Sequence, residues 1–147
     1  MSATKEYLLD VNVLVAFAWD IHPHHERVRE WFERKGNQAR IATCAVTQAG
    51  FLRITCNPRA MEFSISFDDA RNALTALTTH KSHRFVEAMP SLLDSSFSKI
   101  WPRLKGHAQM SDALLLCLAK HHGLIFATLD GGIPTLSPWP DVVELLA

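Results

Sequence analysis

Apolar and polar positions along this chain fall into two alternating patterns: short unbroken apolar runs, and longer stretches with apolar residues spaced three or four apart. Tyr7-Leu8-Leu9, ending at Asp10, reads as a buried first strand. Residues 11–19 are apolar nearly throughout and predict a buried helix starting beside that strand end. Pro23 stands near the start of a second helix that runs to about Lys35. Val28, Trp31 and Phe32 form its apolar stripe, with Glu26, Arg27, Arg29, Glu30, Glu33 and Arg34 around it, and Gly36-Asn37 ends it.

Arg40-Ile41-Ala42-Thr43 predicts a short strand, and residues 45–55 a helix that Asn57-Pro58 closes. Ser66 is a helix cap with Asp69 three positions on, close to a capping box, and Ala70, Ala73, Leu74 and Leu77 line one face of the capped helix. Residues 83–89 predict a further strand, and 91–104 a helix interrupted by Pro102. Ser111 and Asp112 precede a strongly apolar helix to His122, which Gly123 ends. Leu124-Ile125-Phe126-Ala127-Thr128 is the plainest buried strand, and residues 142–146 predict the last one.

Strands alternating with helices imply an α/β fold whose parallel sheet is covered on both faces. Neither a repeat nor a linker divides the chain, so residues 1–147 are expected to form a single domain. Folds of this class place their sites at the carboxyl ends of strands, near a switch in strand order.

That rule selects three acids. Asp10 ends the first strand, Asp130 lies just past the strand at 124–128, and Asp112 sits in the first turn of the intervening helix. Carboxylates brought into one cleft repel each other, an arrangement that is costly unless a cation binds. Hard oxygen ligands with open positions suit Mg²⁺ or Mn²⁺, which also take phosphate oxygens. Each residue equally suits a humbler role: Asp10 as a helix cap, Asp112 as a complement to a helix dipole, Asp130 with Gly131-Gly132 as a turn former.

Composition narrows the partners. The 147 residues hold 15 Lys plus Arg and 15 Asp plus Glu, so no large basic field clamps the chain onto nucleic acid, and any such contacts must be local. Cys44, Cys56 and Cys117 show no metal-ligand spacing and read as free thiols in a reducing compartment. The start of the chain lacks the signature of a signal peptide, and the apolar run 113–119 is too short to span a bilayer, so a soluble cytoplasmic protein without membrane contact is expected.

Four segments, in order, resemble the PIN-domain family, and in particular its VapC-like toxins. Leu8-Leu9-Asp10-Val11-Asn12-Val13-Leu14 is similar to the family's opening strand and Asp, and Thr47-Gln48-Ala49-Gly50-Phe51-Leu52-Arg53, closed by Asn57-Pro58, to its second motif. Ser111-Asp112-Ala113 and Thr128-Leu129-Asp130 resemble the third and fourth. The likeness covers residue 6 to about 135 and implies a three-layer α/β/α sandwich, Mg²⁺- or Mn²⁺-dependent RNA cleavage by a homodimeric toxin, and an antitoxin partner. Asp10, Asp112 and Asp130 would then ligate the metal.

One position departs from the family: Gln48 stands where a Glu is usual. The change keeps the shape but removes a charge and turns one acceptor into a donor. Three carboxylates still suffice for one metal, a second would bind less well, and Gln48 would position water or phosphate. Glu26, Asp20 and Asp94 are candidates to compensate. The alternative is a catalytically weakened PIN-fold module that holds RNA or an antitoxin. A second rival is a small phosphohydrolase, because Asp10-Val11-Asn12 faintly echoes the Asp-x-Asp loop of haloacid-dehalogenase-like enzymes, without its second Asp.

Asn12 is placed to bond a metal-bound water or simply to order its turn, and Thr128 to orient Asp130 or to be a strand residue. His22, His24 and His25 form a conspicuous cluster that suits a helix entrance, RNA contact or a transition metal. Arg53, Arg103, Lys105 and His107 are candidates for phosphate contact or plain surface positions. Trp19, Trp31 and Phe32 suit helix packing, and by resemblance a dimer or antitoxin interface.

Overall fold

The strand that opens the chain, β1 (Lys5–Leu9), lies at the centre of a five-stranded sheet in the computed structural model, which describes residues 4–146. Residues 1–3 and Ala147 of the expected single domain lie outside the described residues. β2 (Ala39–Cys44) and β3 (His83–Val86) flank β1 on one side, β4 (Ile125–Thr128) and β5 (Val143–Leu145) on the other, in the order β3-β2-β1-β4-β5. Every pairing is parallel.

Because side chains alternate along a strand, β1 divides the core in two. Tyr7 and Leu9 face helices α1 (Val11–Ala18), α2 (His25–Lys35), α3 (Ala45–Thr55) and α5 (Phe67–Thr78), where Val13, Val28, Trp31, Phe51 and Leu77 are buried. Leu8 faces α6 (Met110–His122), α7 (Ile133–Leu136) and a 3₁₀ segment (Ser95–Arg103), where Phe97, Ile100, Leu116 and Ile133 are buried. The result is the three-layer α/β/α sandwich.

Chain direction positions the site. From β1 the sheet grows through β2 to β3; the chain then returns across the other face and adds β4 and β5 on the far side of β1. The switch in strand order therefore falls between β1 and β4, whose register pairs Leu9 with Ala127. Asp10 comes immediately after one strand and Asp130 two residues after the other.

Local chemistry sets the element ends. Gly123 ends α6 at φ +67°, and the Leu124 amide donates to the Ala119 carbonyl at 2.9 Å, turning the chain straight into β4. Ser66 accepts the Asp69 amide at 3.0 Å and so caps α5. Gly50 lets α3 lie close against α1: a β-carbon there would come within 2.5 Å of Val11 Cγ2. At the far edge, Glu144 on β5 accepts from Trp31 Nε1 and pairs with Lys35 Nζ at 3.1 Å, tying the last strand to α2.

Two expectations need correction, and two element ends gain detail. Residues 91–104 hold no α-helix but the 3₁₀ segment 95–103, because Asp94 captures the Ser96 amide at 2.9 Å and Pro102 cannot donate. Ser111 and Asp112 do not precede α6; it begins at Met110, so Asp112 is its third residue. Asn57 does more than close α3: it caps a further turn, α4 (Pro58–Met61), by accepting the Arg59 amide at 3.0 Å. The second helix starts at His25, two residues after Pro23.

Candidate functional site

Asp10 is held on both carboxylate oxygens. Its Oδ1 accepts the Val11 amide at 2.7 Å, the helix-cap role, and its Oδ2 accepts the Thr128 hydroxyl at 2.7 Å. Thr128 is fully buried, and its single oxygen is saturated: it also accepts from the Asp130 amide at 3.0 Å and from Asn12 Nδ2 at 3.5 Å. Asn12 in turn accepts the Leu129 amide at 3.2 Å. Thr128 thus orients Asp10 by its side chain and Asp130 only through the backbone, while Asn12 ties α1 to the end of β4.

Asp130 is exposed, and its Oδ1 accepts the Gly132 amide at 2.8 Å. The turn-forming role expected of it is therefore real, and it occupies one carboxylate oxygen. Asp112 differs from both: it is half-buried and has no hydrogen-bond or ion-pair partner among the described residues. Burial, then the charges of Asp10 and Asp130, push its carboxyl up to about 6. Burial likewise raises Asp10, against the opposing bonds from Thr128 and Val11. Asp10, Asp112 and Asp130 thus lie within electrostatic reach of one another across the switch point. They are not drawn into a closed ligand cage: among the described residues no three His, Cys, Asp or Glu side chains form a ready cation site.

Gln48 lies in the first turn of α3, off the carboxyl end of β2 next to β1. Its Nε2 donates to Thr43 Oγ1 at 3.1 Å, and Thr43 Oγ1 lies 2.7 Å from His83 Nε2 on β3. Burial lowers the pKa of His83, so its ring is neutral at pH 7 and Nε2 can accept the Thr43 proton. When His83 Nε2 accepts, Thr43 Oγ1 is the acceptor for Gln48 Nε2, and Gln48 Oε1 has no partner among the described residues. Thr43 and His83 were not singled out from sequence. Thr43, five residues before Gln48 at a strand's carboxyl end, was findable; His83, 40 residues from Thr43, was not.

The other candidates resolve elsewhere. Glu26 pairs with Arg29 at 2.8 Å and Asp94 caps its 3₁₀ segment, so neither compensates for Gln48; Asp20 is exposed beyond α1. In the histidine cluster, His22 Nδ1 accepts the His24 amide and His25 Nδ1 bonds the Ala16 carbonyl, the arrangement of a helix entrance. Trp31 packs edge-on against Tyr7 at 5.0 Å, Phe32 against Phe17 at 4.4 Å, and Trp19 Nε1 donates to Thr55 at 3.3 Å. Cys44 and Cys117 are buried free thiols, Cys56 is partly exposed, and burial raises the Cys117 thiol to about 11.

A parallel sheet in this order, with three acids near its switch point, describes an α/β fold with a candidate site at its strand ends, and comparison with known proteins gives the class. Residues 7–136 match the PIN domain family. Ribonuclease VapC38 of Mycobacterium tuberculosis is 44% identical over 130 residues, 88% of this chain and 89% of that one. Ribonuclease VapC44 of the same organism is 39% identical over 128 residues, 86% and 87% of the two chains. Among solved structures, VapBC2 of Rickettsia felis, bound to a DNA fragment from its promoter, superposes with a TM-score of 0.64 at 14% identity, covering 97% of this chain and 99% of that one. The Mycobacterium tuberculosis VapC20 toxin, which cleaves the sarcin-ricin loop, gives 0.60 at 11% identity over 91% and 97%. The chain belongs to the PIN-domain family, in its VapC ribonuclease branch.

Proposed function

We propose that this chain is the toxin of a toxin–antitoxin pair, a single-domain endoribonuclease that cleaves RNA with a bound Mg²⁺ or Mn²⁺. The observation that carries the reading is Asp112: an unpaired, half-buried acid beside Asp10 and Asp130 at the switch point. The donor set fits such an ion, since it is hard oxygen throughout, contains no thiolate or imidazole, and lacks the positive charge that would relieve its repulsion. When bound, the cation supplies a water of lowered pKa and neutralises charge building on the phosphate.

The chain's own residues divide the remaining work. Asp10, fixed by Thr128 and the Val11 amide, is the rigid ligand; Asp112 supplies a charge once its proton leaves; Asp130 keeps Oδ2 for a ligand while Oδ1 holds its turn. Gln48 offers Oε1 to position water or phosphate, and Asn12 and Thr128 act as positioning residues. The protein works in the cytoplasm as a homodimer neutralised by an antitoxin. In support of a protein partner, Phe63 and Phe67 are 56% and 70% exposed, leaving apolar surface.

The weakened-module alternative is not favoured: Asp10, Asp112 and Asp130 lie within electrostatic reach of one another, and the similar VapC38 and VapC44 are ribonucleases. Family membership likewise leaves the phosphohydrolase reading without support. The test is cleavage of a mixed RNA pool in Mn²⁺ by the chain, by Asp10→Asn and by Gln48→Glu. Cleavage that Asp10→Asn reduces about a hundredfold or more is expected. A silent parent whose activity appears only in Gln48→Glu would return the weakened module to first place.

A further inference from the structure

A cavity of about 360 Å³ opens beside the acidic site, with Arg103, Lys105, Gln109, Gly132 and Thr135 in its wall. It adjoins the site on two sides. The Gly132 amide is the donor to Asp130, and Gln109 holds the capping position of α6, three residues before Asp112.

Its charge is uncompensated. Arg29, Lys35 and Arg84 are all spent on carboxylates. Arg103 instead donates from Nη1 to the neutral Thr135 carbonyl at 2.9 Å, which fixes the guanidinium while leaving its charge and other N–H groups available. Lys105 is anchored by its backbone: its amide donates to Gln109 Oε1 at 2.6 Å, so the ammonium remains free at the end of its stem. Neither cation has an ion-pair partner among the described residues.

We infer that this cavity is a subsite for an RNA backbone phosphate flanking the cleavage position, with Arg103 and Lys105 as its ligands. The inference rests on the ribonuclease reading and adds to it where the substrate is held. It answers a physical difficulty: a chain of zero net charge must bring a polyanion to a cluster of three acids. One held guanidinium and one free ammonium, in a cavity that reaches Gly132 beside Asp130, give the attraction locally and set the direction in which the strand leaves the site.

The test is fluorescence anisotropy of a labelled single-stranded RNA with EDTA present, so that binding is read without turnover, beside cleavage kinetics in Mn²⁺. Arg103→Ala and Lys105→Ala are each expected to weaken binding about tenfold, and the double variant to lower the slope of log affinity against log salt by about 1–2. KM should rise while kcat holds, and Arg103→Lys should recover part of the loss. Arg59→Ala, on the remote turn α4, serves as the control, with thermal melts confirming folding. A parent that binds and cleaves RNA while the double variant keeps its affinity and salt slope overturns the subsite and spares the ribonuclease. A parent that cleaves nothing, yet loses binding in the double variant, sinks the ribonuclease and keeps the subsite. A parent that neither binds nor cleaves RNA overturns both.

Discussion

At the scale of single residues, the site is a contrast between acids that are held and one that is not. Asp112 titrates near 6 in the fold and near 3.8 when free, so the folded state binds its proton more tightly. Its contribution therefore favours the fold below about pH 4, declines as pH rises, and is gone above about 6. In metal-free protein, Asp112→Asn should melt like the parent near pH 4 and about 3 °C higher at neutral pH. That corresponds to roughly 1 kcal/mol, discounted because water reaches half of this carboxyl. Equal melting shifts at both pH values would remove the repulsion argument. The same proton competes with a cation, so cleavage should rise through about pH 6 at low Mn²⁺, with the midpoint moving down as Mn²⁺ is raised. A midpoint independent of metal concentration would take Asp112 out of the ligand set.

Thr128 makes the second prediction at this scale. Its buried hydroxyl is the donor to Asp10 Oδ2 and the acceptor for the Asp130 amide and Asn12 Nδ2. Thr128→Val keeps the volume but strands those partners, and should cost about 1–3 kcal/mol and most of the cleavage activity. Thr128→Ser, which retains the oxygen, should keep the activity. If Val and Ser behave alike in both melting and cleavage, the hydroxyl is not what fixes Asp10.

At the scale of elements, α3 can carry Gln48 where it does because Gly50 lets it press on α1. Val11 is β-branched and cannot swing its methyl aside cheaply, so Gly50→Ala should destabilise by about 1–3 kcal/mol despite the better helix propensity of Ala. Val11→Ala in the same chain should restore part of that loss in a urea melt, and strict additivity would contradict the contact.

Elements are also where reading from sequence succeeds and fails. β1, α3, α6 and β4 were legible because their apolar runs are bounded by Asp10, Asn57-Pro58 and Gly123, residues whose local chemistry ends an element wherever it sits. The segment 91–104 was misread because its apolar spacing suits a helix, while Asp94, Ser96 and Pro102 divert the backbone bonds a helix needs. Asp10 and Asp130 could be placed at one sheet edge from their strand ends, and Asp112 near it from the start of its helix. The tie from Gln48 through Thr43 to His83 was not legible, because it depends on β2 and β3 lying in register, which pairs Thr43 with Phe85.

For the whole molecule, the decisive feature is a central strand that is also the first. β1 pairs with β2 and with β4, so the sheet is not continuous until the last third of the chain arrives. A chain ending at Gly123 retains Asp10, Gln48 and Asp112 but loses β4, β5 and the hydroxyl that orients Asp10. It should neither melt cooperatively nor cleave RNA, and a cooperative melt from that fragment would show that the first three strands suffice.

The bond from Thr128 to Asp10 spans 118 residues. At ribosomal speeds of about 5–20 residues per second, roughly 6–24 s separate the synthesis of those two ends. Through that interval the growing polypeptide carries Asp10 without the hydroxyl that orients it, so on the proposed reading its site is incomplete. On the proposed toxin reading, a neutralising partner has nothing to silence until β4 has paired with β1, a delay written into the order of the strands.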